Sequence, residues 1–289
     1  MDFLRPTTWT EALEAKAQRP DARPLAGGTD LMVELNFDRT RPAALLDLTR
    51  IDELTGWDRD GDRLRIGAGV PYARIISELG QALPGLAIAS RTVGSPQIRN
   101  RGTVGGNLGS ASPAGDAHPP LLAAGAAVEV ESVRGVRVLP IDGFFVRPKV
   151  SALAPDELIR AVRVERADGP QQFAKIGTRN AMVIAVCSFA LALHPATRRV
   201  GTGIGSAAPT PLRARAAEDL LSEALDWAAR GPVDEEVSRR FGELVAAAAS
   251  PIDDVRGSAD YRRHALSVLA GRTLAWAWDD YRKGGAACA

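Results

Sequence analysis

Cysteine, histidine and lysine are scarce in this chain. Of 289 residues, two are cysteine (Cys187 and Cys288), three are histidine (His118, His194 and His264), and only four of the 36 basic residues are lysine. Two cysteines cannot build a disulfide framework, nor supply the four thiolates of an iron–sulfur or zinc site. The histidines lie far apart, with no HExxH and no Cys/His spacing, so structural or surface roles are expected for them. Charge of one sign is missing as well. The 36 basic and 35 acidic residues leave +1, which removes the bulk electrostatic drive of a nucleic-acid or anionic-membrane binder. The longest apolar run, residues 181–193, is about a dozen long against the roughly 20 that cross a bilayer. No basic segment leads into an apolar one at the N-terminus, so no signal peptide is read and a cytoplasmic location is expected. The preference for arginine, with abundant alanine and glycine, fits GC-rich codon usage.

What is present is ordinary globular material, 45% apolar and 25% charged, at a length that suggests about two domains. A first helix is expected from Thr8 to about Ala17, with Thr8 and Glu11 spaced as a capping box. A short strand, 23–26, runs into Gly27-Gly28-Thr29-Asp30, after which Thr29 or Asp30 caps a helix through Leu31, Met32 and Leu35. Residues 44–48 form another strand. The stretches 63–66, 128–131 and 162–165 alternate apolar and charged, which indicates antiparallel or mixed sheet with one wet face rather than a doubly wound parallel core. Between them a helix opens at Pro71, with Ile75, Ile76 and Leu79 inward, and a glycine-dense loop spans 94–115. Beyond a boundary near Asp168-Gly169-Pro170, residues 173–193 predict a strand pair and 200–206 a further strand. A helix after Pro211 turns Leu220, Ala224 and Trp227 to one face. Two more helices follow, about 234–248 and 260–282, the latter striped by Tyr261, Ala265, Leu269 and Trp276.

Two glycine-rich segments stand out: PLAGGTDL (24–31) and RGTVGGNL (101–108), the second followed by SPAGD (112–116). Glycines let the backbone turn sharply and bring N–H groups to an anion, while Thr, Ser and Asn add neutral donors. Two such loops could grip a pyrophosphate from both sides, although each alone also fits an ordinary turn. Neither is a Rossmann or P-loop signature. Gly67-Ala-Gly69 and Gly201-Thr-Gly203-Ile-Gly205 lack the third glycine of GxGxxG and are taken as strand or turn glycines. A bound dinucleotide would therefore need a different fold. No GxSxG surrounds Ser110 or Ser112. Asp116 and His118 are close enough for an acid–base pair, but an aspartate that orients a ligand hydroxyl is simpler. Lys175 fits a solvated strand-face lysine, with contact to a bound anion or flavin as the alternative.

The pair PLAGGTDL (24–31) and IRNRGTVGGNLGSASPAGD (98–116) resembles the FAD-binding medium subunit of the molybdenum hydroxylases, the xanthine dehydrogenase and carbon monoxide dehydrogenase family. Phe173-Ala-Lys175…Arg179 matches its F-x-K-x-x-x-R pattern, and the segment 254–263 (DVRGSADYRR) resembles the start of its last helix. The similarity spans nearly the whole chain in the same order. It implies an α+β fold, with a PCMH or vanillyl-alcohol-oxidase type of FAD-binding domain over 1–170 (subdomains about 1–58 and 59–170) and a small C-terminal α/β domain over 171–289.

Carried over by position, the resemblance implies that Leu25, Ala26, Gly27, Gly28, Thr29, Asp30 and Leu31, with Thr103, Gly105, Gly106 and Asn107, hold the pyrophosphate and neighbouring ribityl atoms of a non-covalent FAD. Val93 and Ile159 would line the flavin or adenine pocket, Asp116 would accept from FAD hydroxyls, and Lys175 would lie beside the isoalloxazine. No metal is expected in the chain. Molybdopterin and [2Fe-2S] clusters would sit in large and small partner subunits, assembled as a dimer of heterotrimers. Electrons from the clusters would pass through FAD to NAD, a quinone, oxygen or another acceptor. Two departures, Asn180 where the family often has Asp and His118 where it is more often apolar or hydroxylated, leave that acceptor open. A stand-alone flavoenzyme of the same fold, with His118 or Tyr72 as acid–base group, is the competing expectation. A flavin-free scaffold subunit is the third.

Overall fold

The computed structural model describes residues 1–284, so Cys288 lies outside the described residues. The chain opens with β1 (Asp2–Leu4), α1 (Trp9–Gln18), β2 (Arg23–Leu25), α2 (Leu31–Asn36) and β3 (Ala44–Asp47). These three strands pair in parallel in the order β1-β3-β2. The alternation in the sequence pointed only to antiparallel or mixed sheet, and β1 is too short and exposed to carry any pattern. Thr8 caps α1 by accepting from the Glu11 amide, whereas the Glu11 carboxylate turns back one residue further, to the Thr7 amide and hydroxyl. At α2 the expected cap is absent: Asp30 is itself helical and makes no side-chain capping bond.

Next come β4 (Trp57–Asp60), β5 (Arg63–Gly67), α3 (Tyr72–Glu78), α4 (Pro84–Arg91), α5 (Pro96–Arg101), α6 (Val104–Ser110) and α7 (His118–Ala123). They are followed by β6 (Ala127–Ser132), β7 (Gly135–Pro140), the hairpin β8 (Phe145–Arg147) and β9 (Val150–Ser151), and β10 (Leu158–Glu165). An antiparallel sheet, β4-β5-β10-β6-β7, forms the centre. Its alternation sends Leu64, Ile66, Val128, Val130, Val162 and Val164 into one core. The opposite face is not simply wet. Glu129 is 3% exposed there, beneath Arg65 and Arg163, and Trp9 of α1 lies over the same face, donating to Glu131 at 2.7 Å and stacking under Arg160. A buried carboxylate needs charged donors of this kind to stay ionised. The expected loop at 94–115 contains two short helices instead, capped by Ser95, which accepts from Ile98, and Thr103, which accepts from Gly106.

The last third holds β11 (Gln171–Ile176), β12 (Cys187–His194), β13 (Arg199–Gly205), α8 (Arg215–Ala224), α9 (Glu235–Ala248) and α10 (Ala259–Arg282). One antiparallel sheet, β11-β12-β13, carries the three helices on one face. Its core runs from Cys187 to Trp278, separate from the core that runs from Trp9 to Val164. The expected stripe on α10 is partly wrong: Tyr261 and Trp276 are both 47% exposed, while Trp278 is buried against Trp227 and Tyr281. The other sheet face meets α4 and α7 of the N-terminal lobe through Ala89, Ala123, Phe173, Ala190 and Ala192. There the glycines of β13 act as a groove: a Cβ on Gly201 or Gly203 would stand 2.0 Å from the carbonyl oxygens of Ala123 and Pro119. No described helix is long and apolar enough to cross a membrane.

Candidate functional site

The two glycine-rich segments are joined. The first leaves β2 and enters α2, the second links α5 to α6, and a Cβ on Gly27 would stand 1.8 Å from the Arg101 carbonyl oxygen. Only glycine permits that approach. Ala26 faces Gly106 and Thr29 faces Gly102 across the same seam. In the first segment Gly28 takes φ +77°, and among the described residues the amides of Gly27, Gly28, Thr29, Asp30 and Leu31 meet no protein acceptor. Consecutive free amides at a turn and a helix start form an anion-binding concavity. The second segment is spent differently. The amides of Val104 and Gly105 donate to the Val70 and Ala68 carbonyls and so fix the loop against the turn after β5, while that of Gly106 donates to the Thr103 hydroxyl and caps α6. Asn107 keeps a buried side-chain oxygen, Oδ1, without a partner among the described residues.

A second cluster faces the C-terminal lobe. Lys175 on β11 donates to Asp116 at 2.6 Å and to the Thr92 carbonyl oxygen at 3.3 Å, and Thr92 donates its hydroxyl to the same carboxylate oxygen. The solvated strand-face expectation for Lys175 is thus overturned, because the N-terminal lobe covers that side of β11. Burial pushes the Asp116 carboxyl up from the ordinary range, and the Lys175 ammonium and Thr92 hydroxyl pull it back. Its other oxygen, Oδ1, is buried without a partner among the described residues, as is the Tyr72 hydroxyl, which burial and the Asp116 charge push far above the usual phenol value. Unpaired buried polar atoms of this kind are expensive unless a bound group or water satisfies them. Free amides at one end and hydrogen-bonding oxygens at the other suit an elongated ligand with an anionic middle and hydroxyl-bearing arms, so the residues present fit FAD.

Val93 is partly buried against the N-terminal core and Ile159 is buried on β10 near Gly109. The acid–base pairing of Asp116 with His118 does not form. The His118 ring is fully buried against Phe145, its Nε2 lies 3.2 Å from the Asn107 carbonyl oxygen, and burial depresses its pKa to about 4. A neutral imidazole sealed inside the lobe cannot exchange protons with a substrate, and the buried Tyr72 is no better placed. His194 and His264 lie elsewhere, on β12 and α10. Two contributors were not anticipated. Thr92 was missed because a hydroxyl after a helix carries no signal of its own. Arg99 was missed as one of many arginines, yet its Nη1 donates to the carbonyls of Arg91, Val93 and Gly94 and so holds the turn bearing Val93.

These features together define a flavin-dinucleotide oxidoreductase subunit built without a Rossmann motif. The chain belongs to the FAD-binding subunits of the molybdenum hydroxylases: residues 1–166 match the family "FAD binding domain in molybdopterin dehydrogenase" and residues 172–277 the "CO dehydrogenase flavoprotein C-terminal domain". It is 30% identical over 277 residues to the nicotine 6-hydroxylase medium subunit of Paenarthrobacter nicotinovorans, covering 94% of this chain and 95% of that protein. It is likewise 30% identical over 286 residues to the xanthine dehydrogenase FAD-binding subunit of Escherichia coli O157:H7, covering 94% of each. Among solved structures it superposes on a chain of carbon monoxide dehydrogenase from Hydrogenophaga pseudoflava with a TM-score of 0.88 and 30% identity, covering 96% of this chain and 97% of that one.

Proposed function

We propose that this chain is the electron-transfer flavoprotein of a three-component molybdenum hydroxylase. FAD is held non-covalently between the two glycine-rich segments, with a small [2Fe-2S] subunit and a large molybdopterin subunit as partners in a dimer of heterotrimers. In this reading residues 1–170 form the FAD domain (subdomains about 1–58 and 59–170), and 171–289 the C-terminal domain. The single observation that carries it is the seam at Gly27 and Arg101, which makes one cradle of two segments distant in sequence. The free amides 27–31 would take the pyrophosphate, and Thr103 and Asn107 the adjoining atoms. Gly105 sets the loop, while Leu25, Ala26 and Gly106 wall the cradle. Val93 and Ile159 would flank the ring systems, Asp116 Oδ1 would accept from a hydroxyl, and Lys175 would stand beside the flavin.

FAD, when bound, supplies the ability to take electrons singly from iron–sulfur clusters and to hand them on to NAD or another acceptor. The protein contributes placement, exclusion of water and a local charge. With two cysteines in the whole chain, the clusters belong to a partner. The purified chain is expected to be yellow, to release its flavin on acid precipitation, and to co-purify with a small cysteine-rich and a large chain when all three are expressed together. Flavin that stays with the acid precipitate would refute the non-covalent site. Chains that separate at micromolar concentration would refute the assembly.

A further inference from the structure

The segment 254–263 takes no part in the cradle, yet it reaches the site through the main chain. Arg262, in the first turn of α10, is 4% exposed. Its Nη1 donates to the Ser206 carbonyl oxygen at 2.7 Å and its Nη2 to Asp254 Oδ1 at 2.6 Å. Asp254 is itself fixed, accepting from the Arg256 amide and guanidinium at 2.8 Å each. Ser206 directly follows β13 with φ 59°, a left-handed conformation that an ordinary side chain disfavours. Its amide crosses between the lobes to donate to the Pro113 carbonyl oxygen at 2.8 Å. Pro113 belongs to a tight turn in which the Gly115 amide donates to the Ser112 carbonyl, and the next residue is Asp116.

We propose that Arg262 is a positioning residue for the flavin site: it holds Ser206 left-handed, so that the Ser206 amide fixes the 112–115 turn and, through it, the Asp116 carboxylate. The rigid planar fork suits this task because it binds two acceptors at a set angle. Without it the Ser206 carbonyl loses a buried donor, the backbone relaxes toward a commoner conformation, and the amide turns away from Pro113. The C-terminal lobe thus restrains Asp116 twice, at its carboxylate through Lys175 and at its backbone through Ser206. The inference rests on Asp116 being an FAD ligand, and its test separates the two claims.

The experiment is a double-mutant cycle between Arg262→Ala and Asp116→Asn in the full chain, read by FAD affinity (fluorescence quenching) and by flavin midpoint potential. Arg262→Ala is expected to weaken FAD about tenfold, the equivalent of one charge-assisted hydrogen bond, and to move the potential in the same direction as Asp116→Asn. The double variant should lose little beyond Asp116→Asn alone, because one change acts through the other. Arg262→Lys, which keeps one donor but not the fork, should fall between Arg262→Ala and wild type. Leu274→Ala, a cavity in the same helix far from the chain of contacts, should lower thermal stability while leaving affinity and potential unchanged. Additive losses, or a Leu274→Ala variant that loses FAD as Arg262→Ala does, would overturn the positioning role. An Asp116→Asn variant that binds FAD like wild type would overturn the site reading itself, and this inference with it.

Discussion

Lys175 Nζ lies 2.6 Å from Asp116 Oδ2, and both side chains are 8% exposed. One comes from β11 and the other from the turn before α7, so the pair is a charged contact across the two lobes. Its burial decides its energetics. An exposed pair is worth little, but removing one partner of a buried pair leaves an uncompensated charge.

Lys175→Ala is therefore expected to destabilise the flavin-free chain by about 3–5 kcal/mol, with Lys175→Met/Asp116→Asn recovering most of that loss in urea denaturation. In the pair the ammonium keeps the buried carboxylate from being pushed further up, and Lys175→Ala takes that positive charge away from the flavin. The flavin midpoint should then fall by roughly 60 mV, the equivalent of one pKa unit, and Lys175→Arg should restore part of it. Potentiometric titration is the measurement, and an unchanged midpoint in Lys175→Ala would put the ammonium away from the flavin.

The cradle's glycines should separate by what a Cβ would strike. At Gly27 it would strike the Arg101 backbone, whereas at Gly106 it would meet Thr103 Oγ1 at 3.1 Å and Ala26 at 3.6 Å. Gly27→Ala should part the two segments and lower both flavin retention and melting temperature. Gly106→Val should cost flavin retention, with the melting temperature of the flavin-free chain within a few degrees of wild type. The ratio of flavin to protein absorbance after desalting reads the first quantity, and calorimetry the second.

His118 makes stability pH-dependent. Its folded pKa is depressed from 6.5 to about 4, so the unfolded chain binds the proton more tightly between those values. The contribution is complete above the unfolded pKa and is lost as pH falls through the folded one, about 3 kcal/mol in all. Urea midpoints measured from pH 7 down to 4 should fall, and His118→Gln should flatten the decline. An identical profile in that variant would assign the slope to other groups.

The helix α2 has no buried residue. It is secured by Glu34, which pairs with Lys149 at 2.5 Å from the β8–β9 hairpin and with Arg23 at 3.5 Å. Because α2 begins where the free amides end, Lys149→Glu should speed FAD release several-fold at low salt, the effect shrinking as salt rises. The added change Glu34→Lys should restore a slow rate in stopped-flow dilution. A double variant as fast as Lys149→Glu would show that the latch is not this pair.

Much of this architecture could be read in the sequence where one face of an element repeats. The alternating valines of β6 and β10 and the capping signals at Thr8 are local, and they sufficed to set the strands and the first helix. Elsewhere the deciding partner is distant. Glycine content suggested a loop at 94–115, although Ser95-Pro96 and Thr103 were sufficient to signal two helix starts. Lys175 reads as wet because nothing in Phe-Ala-Lys reveals that α4 and the 112–116 turn cover that face. The stripe on α10 failed at Trp276 because an aromatic is apolar on either side of a helix, and only the position of Trp227 shows that Trp278 is the one drawn inward. Both cradle segments could be read from glycine spacing, but not their contact, which belongs to the tertiary fold.

The glycine groove of β13 also bears on how this protein can be rebuilt. Where β13 meets α7 the joint is backbone against backbone, with no side chains to trim or repack, so the two lobes are poor candidates for exchange as cassettes. A C-terminal lobe grafted from a relative would have to reproduce the small positions at 201 and 203 and the matching path of α7, or it would rest on the wrong ridge. Chimeras cut near residue 168 are therefore expected to succeed or fail according to which helix they inherit opposite that strand, more than on overall identity between the parents.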